Sequence, residues 1–199
     1  MKKYQIFIID IRDRKLDKVK LDSFLDKKIL NLNDDGIIWI ICNNLIDNEE
    51  LYPQVFLISE FFLSKKFLLK NIIIWPDFGT KDFSVFKKSI NYILFFTKSN
   101  NYFFNKDPIR EKHIWKDVEW GKRKKNYNPL GKDPGNVWLM TQDDGHANIT
   151  KHIPLDLKEV IGRLIKSSTK ENHKVLFIGN PKFIKNLDNF GRIFNVHDF

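Results

Sequence analysis

The sequence contains a single cysteine, Cys42, among its 199 residues. A lone thiol excludes an internal disulfide framework and a metal site made of several cysteines. The 5 histidines show no metal-ligand spacing on a shared helix, so we predict no metal site. At this length the chain can bury one substantial core, and we expect residues 1–199 to form a single domain.

Long apolar runs are also missing from the sequence. No segment approaches the roughly 18 or more apolar residues that a membrane-spanning helix needs. The start, Met1-Lys-Lys-Tyr, leads into an apolar run that Asp10 and Arg12 interrupt too early for a secretory signal. We therefore expect a cytoplasmic protein with no membrane partner.

Positive charge is what the chain has in excess. The formal net charge is +9 and the sequence pI is near 9.4. Heavy use of Lys, Asn, Ile and Phe is typical of an AT-rich genome, so a single lysine carries little meaning. The overall balance still favours nucleic acid as the leading partner, with an acidic protein surface second.

Buried strands and helices alternate along the chain. Apolar runs predict strands at 4–9, 37–42, 71–75, 90–96 and 174–178, with a short strand at 102–104 as a further candidate. Helical spacing predicts helices at 21–30, 53–62 and 155–168. Asp34-Asp35-Gly36 is typical of a turn, and residues 186–199 fit either a short strand or a disordered end. This order predicts a mixed, mostly parallel α/β sheet flanked by helices.

Residues 105–150 are too long for an ordinary connection and indicate an inserted functional loop. The region is basic and punctuated by aromatic residues, which suits phosphate contacts and base stacking. A solvated surface loop in a lysine-rich chain is the alternative. The candidate DNA-binding residues are Arg110, Lys112, Trp115, Trp120, Lys122, Arg123, Lys124, Lys125 and Lys132.

Several segments resemble, in their order, one family. The run Asn71-Ile-Ile-Ile-Trp75 and the segment Gly131-Lys-Asp-Pro134-Gly-Asn-Val137-Trp138 are similar to motifs of the exocyclic-amine DNA methyltransferases of the β-type order, which modify adenine or cytosine. The resemblance extends over approximately residues 4–181. It implies a Rossmann-like methyltransferase fold in which the basic insertion occupies the place of the DNA-recognition region.

The site motifs of that family are altered in this chain. The family's Asp/Asn-Pro-Pro-Tyr tetrad is replaced by Asp10-Ile-Arg-Asp13, which lacks the stacking aromatic residue that base-flipping chemistry needs. We interpret Asp10 as a vestige of the catalytic site, and as a strand-end cap or ion-pair partner of Arg12 rather than a catalytic group.

The family's cofactor motif, for S-adenosylmethionine, is altered too. Its acidic residue corresponds to Phe177, one glycine position to Pro181, and its lysine before the last helix to Asp156. Proline has a fixed φ and no N–H donor, so the loop loses a backbone contact there. These changes predict that the chain binds no cofactor.

Three functional hypotheses follow. The first is a catalytically inactive methyltransferase-like subunit that binds DNA and pairs with a catalytic methyltransferase subunit or a homologous chain. The apolar run at 55–63 offers such a partner a surface, or else belongs to the core. The second is an active S-adenosylmethionine-dependent enzyme that uses Asp10 as the amine acceptor. The third is a scaffold that binds protein and not DNA.

Overall fold

The computed structural model of the protein describes residues 3–12, 14–77, 90–113, 128–143 and 150–198. Its α-helices are α1 (Lys18–Lys28), α2 (Gln54–Ser64) and α3 (Leu157–Ser168). Its strands are β1 (Tyr4–Asp10), β2 (Leu32–Cys42), β3 (Leu45–Asp47), β4 (Glu50–Tyr52), β5 (Leu68–Pro76), β6 (Ile90–Thr97), β7 (Leu139–Asp143), β8 (Thr150–Pro154), β9 (Lys174–Ile178) and β10 (Ile193–His197).

The main sheet has 6 strands in the order β10-β9-β1-β2-β6-β5. Strand β1 is central and pairs in parallel with β2 and β9, and β10 adds in parallel to β9. Strand β6 runs antiparallel between β2 and β5, so the other strands of this sheet share one direction. The predicted mixed, mostly parallel sheet is therefore confirmed. Strands β3–β4 and β7–β8 form separate two-stranded sheets that the apolar pattern did not predict.

Helices cover both faces of the sheet because successive strand residues alternate between the faces. On one face α3 packs its apolar stripe against Ile6, Ile8 and Trp39. On the other face α1 and α2 pack against Phe7 and Ile9. The start of α3 is capped by Asp156, whose carboxylate accepts the Glu159 backbone N–H at 2.7 Å. The prediction of helices on both faces is confirmed.

The apolar run at 55–63, which the sequence assigned either to a partner surface or to the core, lies in helix α2. Val55, Ile58 and Phe62 are buried in the core, whereas Phe56 is 73% and Leu63 50% exposed. The run therefore contributes to the core along one stripe of the helix and leaves large apolar side chains on the outer stripe.

Two local predictions were wrong. Residues 34–36, predicted as a turn, lie inside β2, where the pairing with β1 jumps from Tyr4–Leu32 to Ile6–Ile37 and absorbs the extra residues as a bulge. Residues 102–104 form no strand, because Tyr102 and Phe104 instead pack as single rings against Phe95. Of the two readings of residues 186–199, the short strand is confirmed as β10.

The Cys42 thiol is expected to be inert in the native protein. Its side chain is fully buried, and burial, with a smaller contribution from the Asp10 charge, raises the pKa of the thiol. Since the thiolate is the reactive form, an aromatic disulfide reagent should label the protein only after denaturant unfolds it. Stoichiometric labelling of the folded chain, with free cysteine as the rate reference, would contradict this burial.

Candidate functional site

The ends of β1 and β9 approach closely at one edge of the sheet. Asp10 ends β1, and Gly179 follows β9 with φ of 153°. A Cβ atom on Gly179 would lie 3.1 Å from the Asp10 carbonyl oxygen and 3.2 Å from the Asp10 Cβ. The absence of a side chain at Gly179 is therefore what lets these strand ends meet, at the position where open α/β sheets bind ligands.

Asp10 is held by Arg12 in a two-pronged ion pair. Arg12 donates Nε–H to Oδ1 and Nη2–H to Oδ2 of Asp10, each at 2.9 Å. The Asp10 side chain is only 3% exposed and that of Arg12 13%. Both carboxylate oxygens are thus occupied by a charged donor in a nearly dry environment, the strongest geometry for such a pair. The predicted pairing of Asp10 with Arg12 is confirmed.

The Arg12 guanidinium also lies against aromatic rings. Its central carbon is 4.9 Å from the centroid of the Trp75 ring and 5.7 Å from that of Phe183. The Trp75 indole is fixed because its N–H donates to the Leu155 carbonyl at 2.9 Å. The planar Arg12 guanidinium is therefore bound between a carboxylate and aromatic rings. It lies at the edge of the sheet where strands β1 and β9 end.

A second carboxylate lies at the same edge of the sheet, two strands away from Asp10. Asp198 directly follows β10 and lies 3.7 Å from Arg14, with 68% of its side chain exposed. The Gly179 N–H donates to the His197 carbonyl at 3.0 Å, which ties the ends of β9 and β10 together. Sequence reasoning missed Asp198, and an acidic residue at the end of a predicted strand would have been the signal.

The predicted DNA-binding residues divide into three groups. Arg110 is engaged internally: it donates to Asp107 at 2.7 Å and to the Gly131 carbonyl at 3.2 Å, and its side chain is 11% exposed. Lys112 and Lys132 are exposed, Lys132 being 3.9 Å from Glu111. The remaining candidates lie outside the described residues: Trp115, Trp120, Lys122, Arg123, Lys124 and Lys125.

A partly buried ion-pair network anchors the ends of the inserted region to α3. Arg163 on α3 donates to Glu111 Oε1 at 3.0 and 3.1 Å and lies 3.4 Å from Glu159. The backbones of Glu111 and Lys132 exchange hydrogen bonds at 3.0 and 2.7 Å. Sequence reasoning did not find this network, which fixes the two ends of the basic segment on the rigid part of the fold.

Metal clusters and membrane spans are both absent from the described ranges. Among those residues, no group of three or more His, Cys, Asp or Glu side chains is placed to hold a metal ion. Within the same ranges, none of the helices combines the length and apolar character required to cross a membrane.

Comparison with known proteins agrees with the geometry. The family model described as DNA methylase matches residues 17–180. A curated relative, the type II methyltransferase M.BglII from Bacillus subtilis, is 30% identical over 166 residues, which cover 78% of this chain and 46% of the relative. The chain thus spans about half the length of the curated relative it matches.

Solved structures share the fold at low identity. The PvuII cytosine-N4-specific DNA methyltransferase matches with a TM-score of 0.59 and 11% identity over 99% of this chain and 75% of its own. The M1.HpyAVI complex with S-adenosylmethionine matches with a TM-score of 0.56 and 18% identity over 98% and 82%. The TTHA0409 protein of Thermus thermophilus, also complexed with S-adenosylmethionine, gives 0.56 and 16% over 98% and 80%. The predicted Rossmann-like methyltransferase fold is confirmed.

The prediction that the chain has no cofactor is wrong. The matched family uses S-adenosylmethionine, and two of the structural neighbours are complexes with it. The physical reason lies in β9, where Phe177 is fully buried and packs in the core rather than at the ligand edge. Gly179, which permits the close approach of the backbone, is retained. The match over most of the sequence and the shared sheet together show that this chain belongs to the DNA methylase family.

Proposed function

We propose that this chain is a DNA-binding subunit of the DNA methylase family that retains S-adenosylmethionine binding, is catalytically silent by itself, and supports an active methyltransferase. The observation that carries the proposal is the ion pair between Asp10 and Arg12, which occupies both carboxylate oxygens of Asp10 at the end of β1. We also propose that residues 1–199 form one domain and that 105–150 is its DNA-recognition region.

The ends of β9 and β10 fit the cofactor. Gly179 leaves room for a ligand to approach the backbone, as glycines do in nucleotide-binding loops. Asp198 follows it by about 20 residues, the spacing at which such folds place a carboxylate on the ribose hydroxyls. These residues would hold the nucleoside part of S-adenosylmethionine, which when bound supplies an electrophilic methyl group.

The target-base side of the site is closed. A base that has been flipped out of DNA needs an acceptor for its amine and a stacking wall. Here Arg12 occupies the acceptor, Asp10, and its guanidinium lies over the ring of Trp75. The amine of a target base therefore has no acceptor at Asp10 until the Arg12 side chain leaves.

DNA binding follows from charge and from the anchored basic segment. The chain carries a net charge of +9, and Arg163 fixes the insertion on the fold through Glu111. Each phosphate that a lysine or arginine neutralises releases counterions, so affinity for DNA should fall steeply as salt is raised. Binding that is independent of salt would contradict this part of the proposal.

An active enzyme is the second candidate. The observation that favours it is the position of Asp10, a carboxylate at the ligand edge beside Gly179, where it would accept a proton or hydrogen bond from the target amine. In that case Arg12 would swing away from Asp10 and Trp75 when DNA binds.

Calorimetry and methyl-transfer assays separate the two candidates. Wild type and Arg12→Ala should bind S-adenosylmethionine alike, whereas isolated wild type should transfer no labelled methyl group to DNA. Addition of the wild type should raise transfer by an active methyltransferase subunit from the same source. Transfer by the isolated wild type, abolished by Asp10→Asn, would establish the active enzyme instead. Failure to bind DNA or S-adenosylmethionine would reject both candidates.

A further inference from the structure

A cavity of about 420 Å³ lies on the face of the sheet that α3 covers, between the strands and the chain segments 102–109 and 133–138. Its floor includes the buried side chains of Trp39, Ile73 and Phe95, so it lies over β2, β5 and β6. Asp10 and Gly179, by contrast, lie at the ends of β1 and β9. The cavity is thus separate from the ligand edge, and it has the size and apolar floor of small-molecule sites.

Aromatic rings form one wall of this cavity. Trp39 and Phe95 stack with their ring centroids 4.2 Å apart, and the Phe104 ring packs against Phe95 at 5.4 Å. Trp39 and Phe95 are 1% and 5% exposed, whereas Phe104 is 40% exposed. Part of the Phe104 ring is therefore uncovered at the cavity, where it offers a planar ligand a surface for stacking.

The rim of the cavity carries a net positive charge. The Lys70 ammonium lies 5.5 Å from the centroid of the Tyr102 ring and is hydrogen-bonded to the neutral side chain of Asn100. Among the described residues no carboxylate lies within ion-pair distance of Lys70, whereas Lys106 pairs with Asp133. Two lysines thus face one carboxylate, and the charge of Lys70 is available to an anionic group of a ligand.

A fixed amide lines the cavity beside Lys70. Asn71 Oδ1 accepts the backbone N–H of Ile72 at 2.8 Å, and this bond determines which atom of the amide is the oxygen. The Asn71 NH₂ group is then the donor that this exposed side chain offers to a ligand. A stacking ring, a donor and a cation therefore meet at one cavity, and they suit a planar group with carbonyl oxygens that is joined to an anion.

We propose that this cavity binds a nucleoside phosphate, either free or as an unpaired nucleotide of DNA, with its base on Phe104 and its phosphate beside Lys70. Stacking accepts any base, because every base has a π-face, and a lysine binds phosphate as a point charge. A cationic ligand would be repelled by Lys70. The inference goes beyond the proposed function, since it requires neither a methyl acceptor nor Asp10.

Thymidine 5′-monophosphate is the probe, because thymine has no exocyclic amine to accept a methyl group. Thymidine and deoxyribose phosphate each lack one half of it and serve as matched ligands. The cavity variants are Phe104→Ala and Lys70→Gln, and Lys20→Gln on α1 is the charge-matched control at an exposed lysine. Ligand-observed NMR measures affinity. The Trp138 indole N–H signal reports on the site, because this group donates to the Gly135 carbonyl at the cavity wall at 3.1 Å.

Phe104→Ala should weaken binding of thymidine monophosphate about 5- to 100-fold, the range for one stacked base. Lys70→Gln should weaken binding of the monophosphate and leave that of thymidine unchanged, whereas Lys20→Gln should change neither. A short oligothymidylate that binds more tightly than the mononucleotide would support DNA as the source of the ligand, and equal affinity would support the free nucleotide. The inference would be overturned by an unshifted Trp138 signal, or by equal affinity of the wild type and both cavity variants.

Discussion

Asp10→Ala is expected to lower the free energy of unfolding by about 3–5 kcal/mol. The substitution removes the partner of a guanidinium whose side chain is only 13% exposed. Arg12 would then be left with its charge uncompensated beside Trp75 and Phe183. Breaking one side of a buried pair costs far more than the pair contributes net, because the remaining charge has lost both its partner and its water.

An ion pair on the surface supplies the matched control for Asp10→Ala. Lys15 and Asp47 also pair, but their side chains are 56% and 43% exposed, so Asp47→Ala should change the free energy of unfolding little. Asp10→Asn, which keeps one acceptor for Arg12, should fall between the two. Denaturant unfolding at neutral pH measures all three variants. If Asp10→Ala lowers the free energy of unfolding no more than Asp47→Ala does, Arg12 is not held in a buried ion pair with Asp10.

Trp39→Ala is expected to cost about 3–5 kcal/mol, a large share of the ~5–15 kcal/mol that holds a typical domain together. The indole is 1% exposed and stacks on Phe95 with ring centroids 4.2 Å apart. Its N–H donates to the Ser168 hydroxyl at 2.9 Å, which joins the middle of β2 to the end of α3. Truncation leaves a cavity between sheet and helix and removes a partner from a buried hydroxyl.

Graded variants keep this prediction measurable even if Trp39→Ala does not fold. Trp39→Phe retains an aromatic ring to pack on Phe95 and should cost less, since it loses mainly volume and the hydrogen bond. Ser168→Ala removes the hydroxyl and should cost about 1–3 kcal/mol, because the indole N–H is then buried without a partner. Denaturant midpoints and near-ultraviolet circular dichroism follow both. A Trp39→Phe protein less stable than Trp39→Ala would contradict the proposed packing.

Strands were predictable where apolar residues are continuous. The run at 37–41 is buried on both faces, and its prediction needed no knowledge of its neighbours. Trp75 and Trp138 are 4% and 2% exposed and belong to the core. The hairpin β3–β4 was not predicted and β10 was left open between two readings, because these strands are short and largely exposed and carry little apolar pattern.

The site was predictable only where its residues are close in sequence. Asp10 and Arg12 are two positions apart, so their pairing could be predicted from charge alone. The convergence of Trp75 and Phe183 on the same guanidinium depends on sheet order and on the turn after β9, which no local pattern reports. The erroneous prediction about the cofactor has the same origin: motif comparison treated Phe177 as a site residue, whereas the sheet places it in the core.

The central position of β1 has a consequence for synthesis. Strand β1 is synthesised before the other strands of its sheet but pairs with one of the latest, since Ile6 pairs with Val175 and Ile8 with Phe177. Until β9 emerges, one edge of the apolar run 6–9 has no strand to cover it, and such unpaired edges invite association with other chains. Nascent chains that stall before Lys174 should therefore be substrates for chaperones, and contacts so distant in sequence should make folding slow.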